Sequence, residues 1–342
     1  MSRAPWRALA PFVTMLRRPW QRRRNARTLA AVPEAGVNRQ QWVRLGGIEQ
    51  WITVRGHDRR NPMLLVVHGG PASPYIPFNP LLSSWEQVVT VVQWDQRGAG
   101  RTFVRNGPDP ALTVDRLVDD GIQLARWITR ELGHHRIILM GSSVGSVIAS
   151  RMVRAEPQLF AQYVAANQVG VGSRADSWRQ TRAALDRGGK RGSVAALDAL
   201  GPDPRAWTAA QAEEVSKHAI SASVGVPDMV YDLMLPALMY TPDYSMADIR
   251  AIDKSMGLAR DVLYPDLRDP DLSGRYEVPL LLVHGERDLV NPVSAVANLL
   301  PLLDAPRVEL VTVEHAGHLV EFADPERFAQ ILREHVLSQW EA

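Results

Sequence analysis

Short apolar runs, each closing on a glycine, a histidine or an acid, constrain this chain more than anything else in it. Residues 63–67 run into His68, 88–94 into Asp95, 137–140 into Gly141 and 279–283 into His284. Residues 163–166 and 308–313 have the same character. Runs this short, bounded by turn residues, read as strands buried on both faces. Between them lie segments with helical period. Residues 113–132 place apolar side chains at 114, 117, 118, 122, 124, 125 and 128, with Asp115, Asp119 and Asp120 toward the positive end and Gly133 as the stop. Residues 147–155 form a second helical segment ended by Pro157, and residues 325–340 a closing one with Phe328, Ile331, Leu332 and Val336 on one side. Residues 41–55 alternate around Gly46-Gly47 as a hairpin does. Strands alternating with helices predict an α/β fold: a mostly parallel central sheet flanked by helices on both faces.

From about residue 171 to 276 the texture changes. Helical segments are broken by Gly188-Gly189, Gly201-Pro202 and by prolines at 227, 236, 242, 265 and 270, and no strand-like run stands out. The expected organisation is a basic, flexible N-terminal arm over 1–36, a core over 37–170 and 277–342, and an inserted helical cap over 171–276. No internal repeat interrupts this plan.

Composition narrows the function. The 342 residues include no cysteine, which excludes a disulfide-stapled scaffold, a cysteine nucleophile and cysteine-ligated metal. The formal net charge of +2 hides an asymmetry: residues 1–30 hold eight arginines and no acid, so the remainder has a balance of −6. A mildly acidic body argues against nucleic-acid binding. In the arm, residues 8–16 are the only apolar run, far short of the roughly 20 residues that span a bilayer. Trp6, Phe12, Leu16 and Trp20 among arginines suit an anionic membrane surface, but a flexible arm ahead of the domain is the simpler reading. A cytoplasmic location is expected. No dinucleotide fingerprint or metal-ligand cluster is visible, so no cofactor is expected.

Gly141-Ser142-Ser143-Val144-Gly145 fits G-x-S-x-G between an apolar strand and a helix. A serine on a tight strand-to-helix turn crowds the residues two before and two after it, and glycine relieves that crowding. Ser142 and Ser146 lack glycine on both sides. Without the strand before it, the motif would be an ordinary Gly/Ser-rich turn; in this context Ser143 is the candidate nucleophile. A serine hydroxyl needs a base, and the base an orienting carboxylate, in the chain order Ser, acid, His. Residues 280–283 lead into His284-Gly285-Glu286-Arg287-Asp288, and residues 308–313 into Glu314-His315-Ala316-Gly317-His318. Asp288 and His318 are the candidate acid and base. Glu286 and His315, nearer their strands, are the rivals and suit turn capping. An oxyanion needs two backbone N–H donors. Val144 follows the nucleophile, and His68-Gly69-Gly70-Pro71 follows an earlier strand; Gly70 is the second candidate donor and Gly69 its alternative.

Taken together, His68-Gly69-Gly70-Pro71, Asp95-Gln96-Arg97-Gly98-Ala99-Gly100, the G-S-S-V-G turn and the Asp288/His318 tail resemble the proline iminopeptidase family of α/β-hydrolases over about residues 40–340. The resemblance implies a serine hydrolase that releases N-terminal residues, often proline, from small peptides. That family has Trp after the nucleophile, where this chain has Val144. It also anchors the substrate's amino group on cap glutamates, which makes Glu213 and Glu214 the candidates here. Asp95 and Arg97 read as residues that pin neighbouring backbone. The alternative on the same three residues is an esterase, lactonase or amidase acting on a small acyl substrate. An epoxide hydrolase or dehalogenase would need Asp at 143, and a non-catalytic relative would have lost a member of the Ser/Asp/His set.

Overall fold

The computed structural model describes residues 10–339. Eight strands build one sheet: β1 (Val37–Leu45), β2 (Ile48–Gly56), β3 (Met63–Val67), β4 (Thr90–Asp95), β5 (Ile137–Ser142), β6 (Phe160–Ala166), β7 (Leu280–Gly285) and β8 (Val308–Val313). Their order across the sheet is β1-β2-β4-β3-β5-β6-β7-β8. Strand β2 pairs antiparallel with β1 and β4, and every other pair is parallel. The β1–β2 hairpin turns on Gly46 and Gly47, with φ of 54° and 88°. Two successive positive φ values are what a two-residue hairpin matched to strand twist requires.

Continuous apolar runs serve the inner strands of this sheet because both of their faces are buried, whereas the edge strand β8, expected to be buried in the same way, stays partly exposed along its length. Leu65, Val67 and Leu139 point into one core with Trp94 and Tyr163. Leu64, Val66, Ile138 and Met140 point into the other, with Phe328, Ile331 and Leu332. Neighbouring residues alternate between faces, so each must be apolar.

The helices follow the sequence periodicity with small shifts that have local causes. Helix α2 (Val114–Leu132) is capped by the Thr113 hydroxyl, which accepts from the Arg116 N–H, and ends on left-handed Gly133. Helix α3 starts at Val144, three residues before the expected position, and runs to Ala155; it begins directly on the serine turn. Strand β4 starts at Thr90 because the Val88 and Val89 N–H groups still bond to the Trp85 carbonyl of a preceding helical turn. Strand β6 starts at Phe160, ahead of the polar Gln162 that masked it. The closing helix stops at His335, and Trp340 of the expected 325–340 segment lies outside the described residues. The 171–276 region carries helices at Ser173–Arg187, Arg191–Leu200, Ala209–Ala222, Leu235–Tyr240 and Met246–Leu267. It has a small core of its own that includes Leu185, Leu197, Trp207 and Tyr264. One two-residue strand, Gly274–Arg275, pairs with Leu303–Asp304; two residues are too few to leave a sequence signal.

The N-terminal arm requires a correction. Residues 1–9 lie outside the described residues, but helix α1 (Ala10–Ala30) is docked, not a free extension. The Arg22 guanidinium donates to the carbonyls of Thr241 at 2.5 Å, Tyr244 at 2.7 Å and Pro242 at 3.1 Å, and Asn25 donates to Tyr240 O at 3.1 Å. The Leu29 carbonyl accepts from Asn38 and Arg55, both at 3.0 Å. The helix is held by polar groups that meet backbone carbonyls, an arrangement invisible to a search for apolar period.

Candidate active site

Ser143 sits where β5 becomes α3, with φ 51° and ψ −126°. That is a sparsely populated region for a residue with a side chain, held by its surroundings. The flanking glycines allow it: a Cβ on Gly145 would lie 2.1 Å from the Val67 carbonyl oxygen, and one on Gly141 would lie 2.7 Å from Ala149 Cβ. The neighbouring strands bring the other residues to the same edge. His318 Nε2 lies 3.0 Å from Ser143 Oγ, and His318 Nδ1 lies 2.7 Å from Asp288 Oδ2. All three are buried. Asp288 Oδ1 accepts the backbone N–H groups of Val290 at 2.8 Å and Asn291 at 2.9 Å, so the carboxylate is fixed at both ends.

The partners set the protons. Burial alone would raise Asp288, but His318, His284 and the Asn291 N–H hold it below its ordinary value. Burial likewise works to lower His318, and the Asp288 carboxylate, with a smaller contribution from Glu321, lifts it above the ordinary histidine value. An ionised Asp288 takes the Nδ1–H of His318, leaving Nε2 with a lone pair toward the Ser143 hydroxyl. His284, whose Nε2–H donates to Asn291 O at 2.6 Å, is lowered by burial and stands 3.6 Å behind Asp288.

Val144 heads α3, so its N–H is one of those a helix leaves without an internal acceptor. Gly70 borders the same cavity as Ser143 and Val144. Gly69 packs behind it: a Cβ there would lie 2.9 Å from Ser143 Cβ. The reason the H-G-G-P and D-Q-R-G segments occur together is visible at His68. The Gln96 N–H points at His68 Nε2 at 3.3 Å, Gln96 Nε2 donates to His68 O at 3.0 Å, and His68 Nδ1 reaches Gly69 O at 3.0 Å. Burial pushes His68 down to about 4, so it is a neutral clamp between the two loops. Arg97 and Asp95 hold the second loop separately. Arg97 bonds Asp120 at 2.7 Å, Gly46 O at 2.9 Å and Asp109. Asp95, pushed up to about 7 by burial, accepts from the Arg101 N–H at 2.8 Å and from the Tyr244 hydroxyl of the 171–276 region.

Sequence reasoning missed Glu321. It is fully buried, accepts from Asn167 Nδ2 at 2.8 Å and from the Ser142 hydroxyl, and is raised by burial. Tyr75 completes the cluster, with its hydroxyl 3.0 Å from Ser142 Oγ. A signal was present: a carboxylate inside the run Leu319-Val320-Glu321-Phe322, three residues after His318. The rivals do not reach the site. Glu286 and His315 are exposed; the Glu286 carboxylate takes the His315 N–H at 3.4 Å and faces Arg287 at 3.8 Å.

Ser143 and His318 open onto a cavity of about 1020 Å³ roofed by Trp207, Met229, Met234, Leu238 and Tyr264. That is the upper end of small-ligand pockets. Glu213 borders it, but its carboxylate is engaged by Lys217 at 2.9 Å and by Arg260. Glu214 is half exposed, faces His218 at 3.4 Å and is absent from the cavity wall. The structure therefore brings Ser143, Asp288, His318, Gly70 and Val144 together, puts Glu213 on the wall of the same cavity with its carboxylate already engaged, and leaves Glu214 off that wall. Among the described residues no three His, Asp or Glu side chains converge as metal ligands.

Comparison with known proteins shows the family of the fold. The family model described as alpha/beta hydrolase fold matches residues 62–325. The probable aminopeptidase YbaC of Bacillus subtilis (strain 168) is 24% identical over 304 residues, covering 85% of this chain and 94% of that protein. Among solved structures, a bacterial membrane phospholipase A aligns with TM-score 0.58 at 19% identity, covering 98% of this chain and 95% of the other. A proline iminopeptidase-related protein of Thermus thermophilus aligns with TM-score 0.56 at 22% identity, covering 88% and 98%.

Proposed function

Because this chain belongs to the alpha/beta hydrolase fold family, we propose that it is a serine hydrolase of small acyl substrates, with Ser143 as nucleophile, His318 as base and Asp288 as orienting acid. The observation that carries the reading is the unbroken hydrogen-bond chain from Ser143 Oγ through His318 to Asp288, at 3.0 and 2.7 Å. His318 Nε2 takes the hydroxyl proton as Oγ bonds to the substrate's carbonyl carbon. The N–H groups of Val144 and Gly70 receive the oxyanion, each worth about 2.7–4 kcal/mol in such sites. His318 returns the proton to the departing amine or alcohol, and the ester left on Ser143 is released by a water that His318 activates in turn.

The finer reading, release of N-terminal residues from short peptides, is supported by the likeness to the Bacillus protein over most of the chain. Engagement of Glu213 by Arg260 and Lys217 favours esters and amides without a free amine, since a carboxylate already neutralised adds little hold on an ammonium. A fluorophosphonate probe tests the chemistry: wild type is labelled on Ser143, and Ser143→Ala is neither labelled nor active while keeping its fold. Labelling elsewhere, or an active Ser143→Ala, refutes the assignment. Aminoacyl-arylamides with free and blocked amines, run beside short-chain esters, decide the substrate. Turnover confined to free amines selects the aminopeptidase reading.

A further inference from the structure

Helix α1 is inside out in its first half. Its inner face carries Thr14, Arg18, Gln21, Arg22 and Asn25, and Arg22 and Asn25 bond to the carbonyls of residues 240–244. Its outer face carries Phe12, Leu16 and Trp20, four residues apart and 64, 67 and 62% exposed, with Val13 and Met15 beside them. Five of the thirteen exposed large apolar side chains of the described residues lie in these nine positions. Scattered exposed apolar residues are normal, but a contiguous stripe marks an interaction surface. Farther along the same outer face stand Arg23 and Arg27, with Arg17 and Arg24 at its edge. Among the described residues none of these four arginines pairs with a carboxylate, and Arg24 lies over the Trp20 ring at 5.9 Å.

We propose that the outer face of α1 seats this protein on an anionic lipid surface, with Phe12, Leu16 and Trp20 entering the acyl boundary and Arg17, Arg23, Arg24 and Arg27 meeting the headgroups. Charge selects this occupant. A second copy packed about a two-fold axis would set the same arginines against each other, and the helix carries no acid to answer them. Negative headgroups answer all four. No helix among the described residues is long and apolar enough to cross a membrane, so α1 lies in the interface. The placement bears on the site: α1 packs on the Leu235–Tyr240 helix and the Ile76–Leu81 turn, whose Leu235, Leu238 and Phe78 line the cavity. A surface-bound molecule would hold that cavity wall next to the lipid.

Co-sedimentation of the full chain with vesicles tests this. Equimolar phosphatidylglycerol and phosphatidylcholine should bind it, phosphatidylcholine alone weakly, and high salt should release it. Two variants, Phe12→Ser/Leu16→Ser/Trp20→Ser and Arg17→Gln/Arg23→Gln/Arg24→Gln/Arg27→Gln, should each weaken binding by more than about tenfold. Both should hydrolyse a soluble ester at the wild-type rate, which separates lost binding from lost folding. Equal binding to neutral and anionic vesicles, or no binding, overturns the proposal. A concentration-dependent dimer abolished by the triple-serine variant overturns it in favour of a second copy on this face.

Discussion

Replacing Asp288 with Asn tests the reasoning most sharply, because the structure fixes which way the amide must face. Oδ1 of Asp288 accepts two backbone N–H groups, from Val290 at 2.8 Å and Asn291 at 2.9 Å. In the variant only the amide oxygen can fill that place, so Nδ2 is left 2.7 Å from His318 Nδ1, where Oδ2 now stands. Two N–H donors cannot share that contact. His318 must move its proton to Nε2, the nitrogen that faces Ser143 Oγ at 3.0 Å, and there it cannot accept the hydroxyl proton. The charge that stabilises the imidazolium is lost in the same change. In a site of this kind the two effects cost about 10⁴ in kcat, or about 5 kcal/mol of transition-state stabilisation. The assay is steady-state hydrolysis of an aryl ester, with circular dichroism and thermal melting to show the fold is kept. A folded Asp288→Asn variant whose kcat falls less than about tenfold would refute both the role of Asp288 and the orientation argument.

Three further outcomes follow from named contacts. The pH profile of kcat/KM should fall on the acid side through a value above the ordinary 6.5 of histidine, because His318 is raised and must be neutral to act as base; a stopped-flow or steady-state profile with a neutral ester checks it. Gly145→Ala, which forces a Cβ to within 2.1 Å of the Val67 carbonyl, should destabilise by about 3 kcal/mol, read as a lower urea midpoint, and should disturb the serine turn. Arg97→Ala should cost about 3–5 kcal/mol in the same denaturation assay, because it leaves the fully buried Asp120 without its cation.

What could be read from the sequence was whatever leaves a periodic or a short-range trace. The inner strands of the central sheet left apolar runs because both of their faces are covered, and the ends of β5, β7 and β8 point to Ser143, Asp288 and His318 because parallel strands deliver their carboxyl ends to one edge. Glycines 141 and 145 were legible for a steric reason that the structure quantifies. The rest depended on contacts distant in sequence. The pairing of His68 with Gln96 is a hydrogen bond across 28 residues. The neutralisation of Glu213 by Arg260 joins two helices. Helix α1 leaves no trace of docking in the sequence because its inner face is polar and satisfied by carbonyls more than 200 residues away, while its apolar residues face outward, the reverse of the pattern that signals a docked helix.

Glu321 shows how much the region behind a site can matter to it. Two buried carboxylates flank His318 and are pushed in opposite directions. Asp288 is held below its ordinary value by His318, His284 and backbone donors that outweigh burial, whereas burial raises Glu321 despite the Ser142 and Asn167 hydrogen bonds. The linkage signs differ accordingly. The stabilising contribution of Asp288 is present above its unfolded value and is lost as pH falls through its lower folded value. That of Glu321 is complete below its unfolded value and is lost as pH rises through its higher folded value. Glu321→Gln removes the second loss. Its amide oxygen can take the Asn167 N–H, and its NH₂ can donate to Ser142, whose hydroxyl is then free to donate to Tyr75. The variant should therefore gain stability relative to wild type as pH rises from acid to neutral, measured by paired urea midpoints. Because Glu321 is one of the groups lifting His318, the acid limb of kcat/KM should also move to lower pH while the plateau is kept. Stability curves that run parallel in wild type and variant across that range would show that Glu321 does not ionise against its surroundings, and that its charge is not part of what tunes the base.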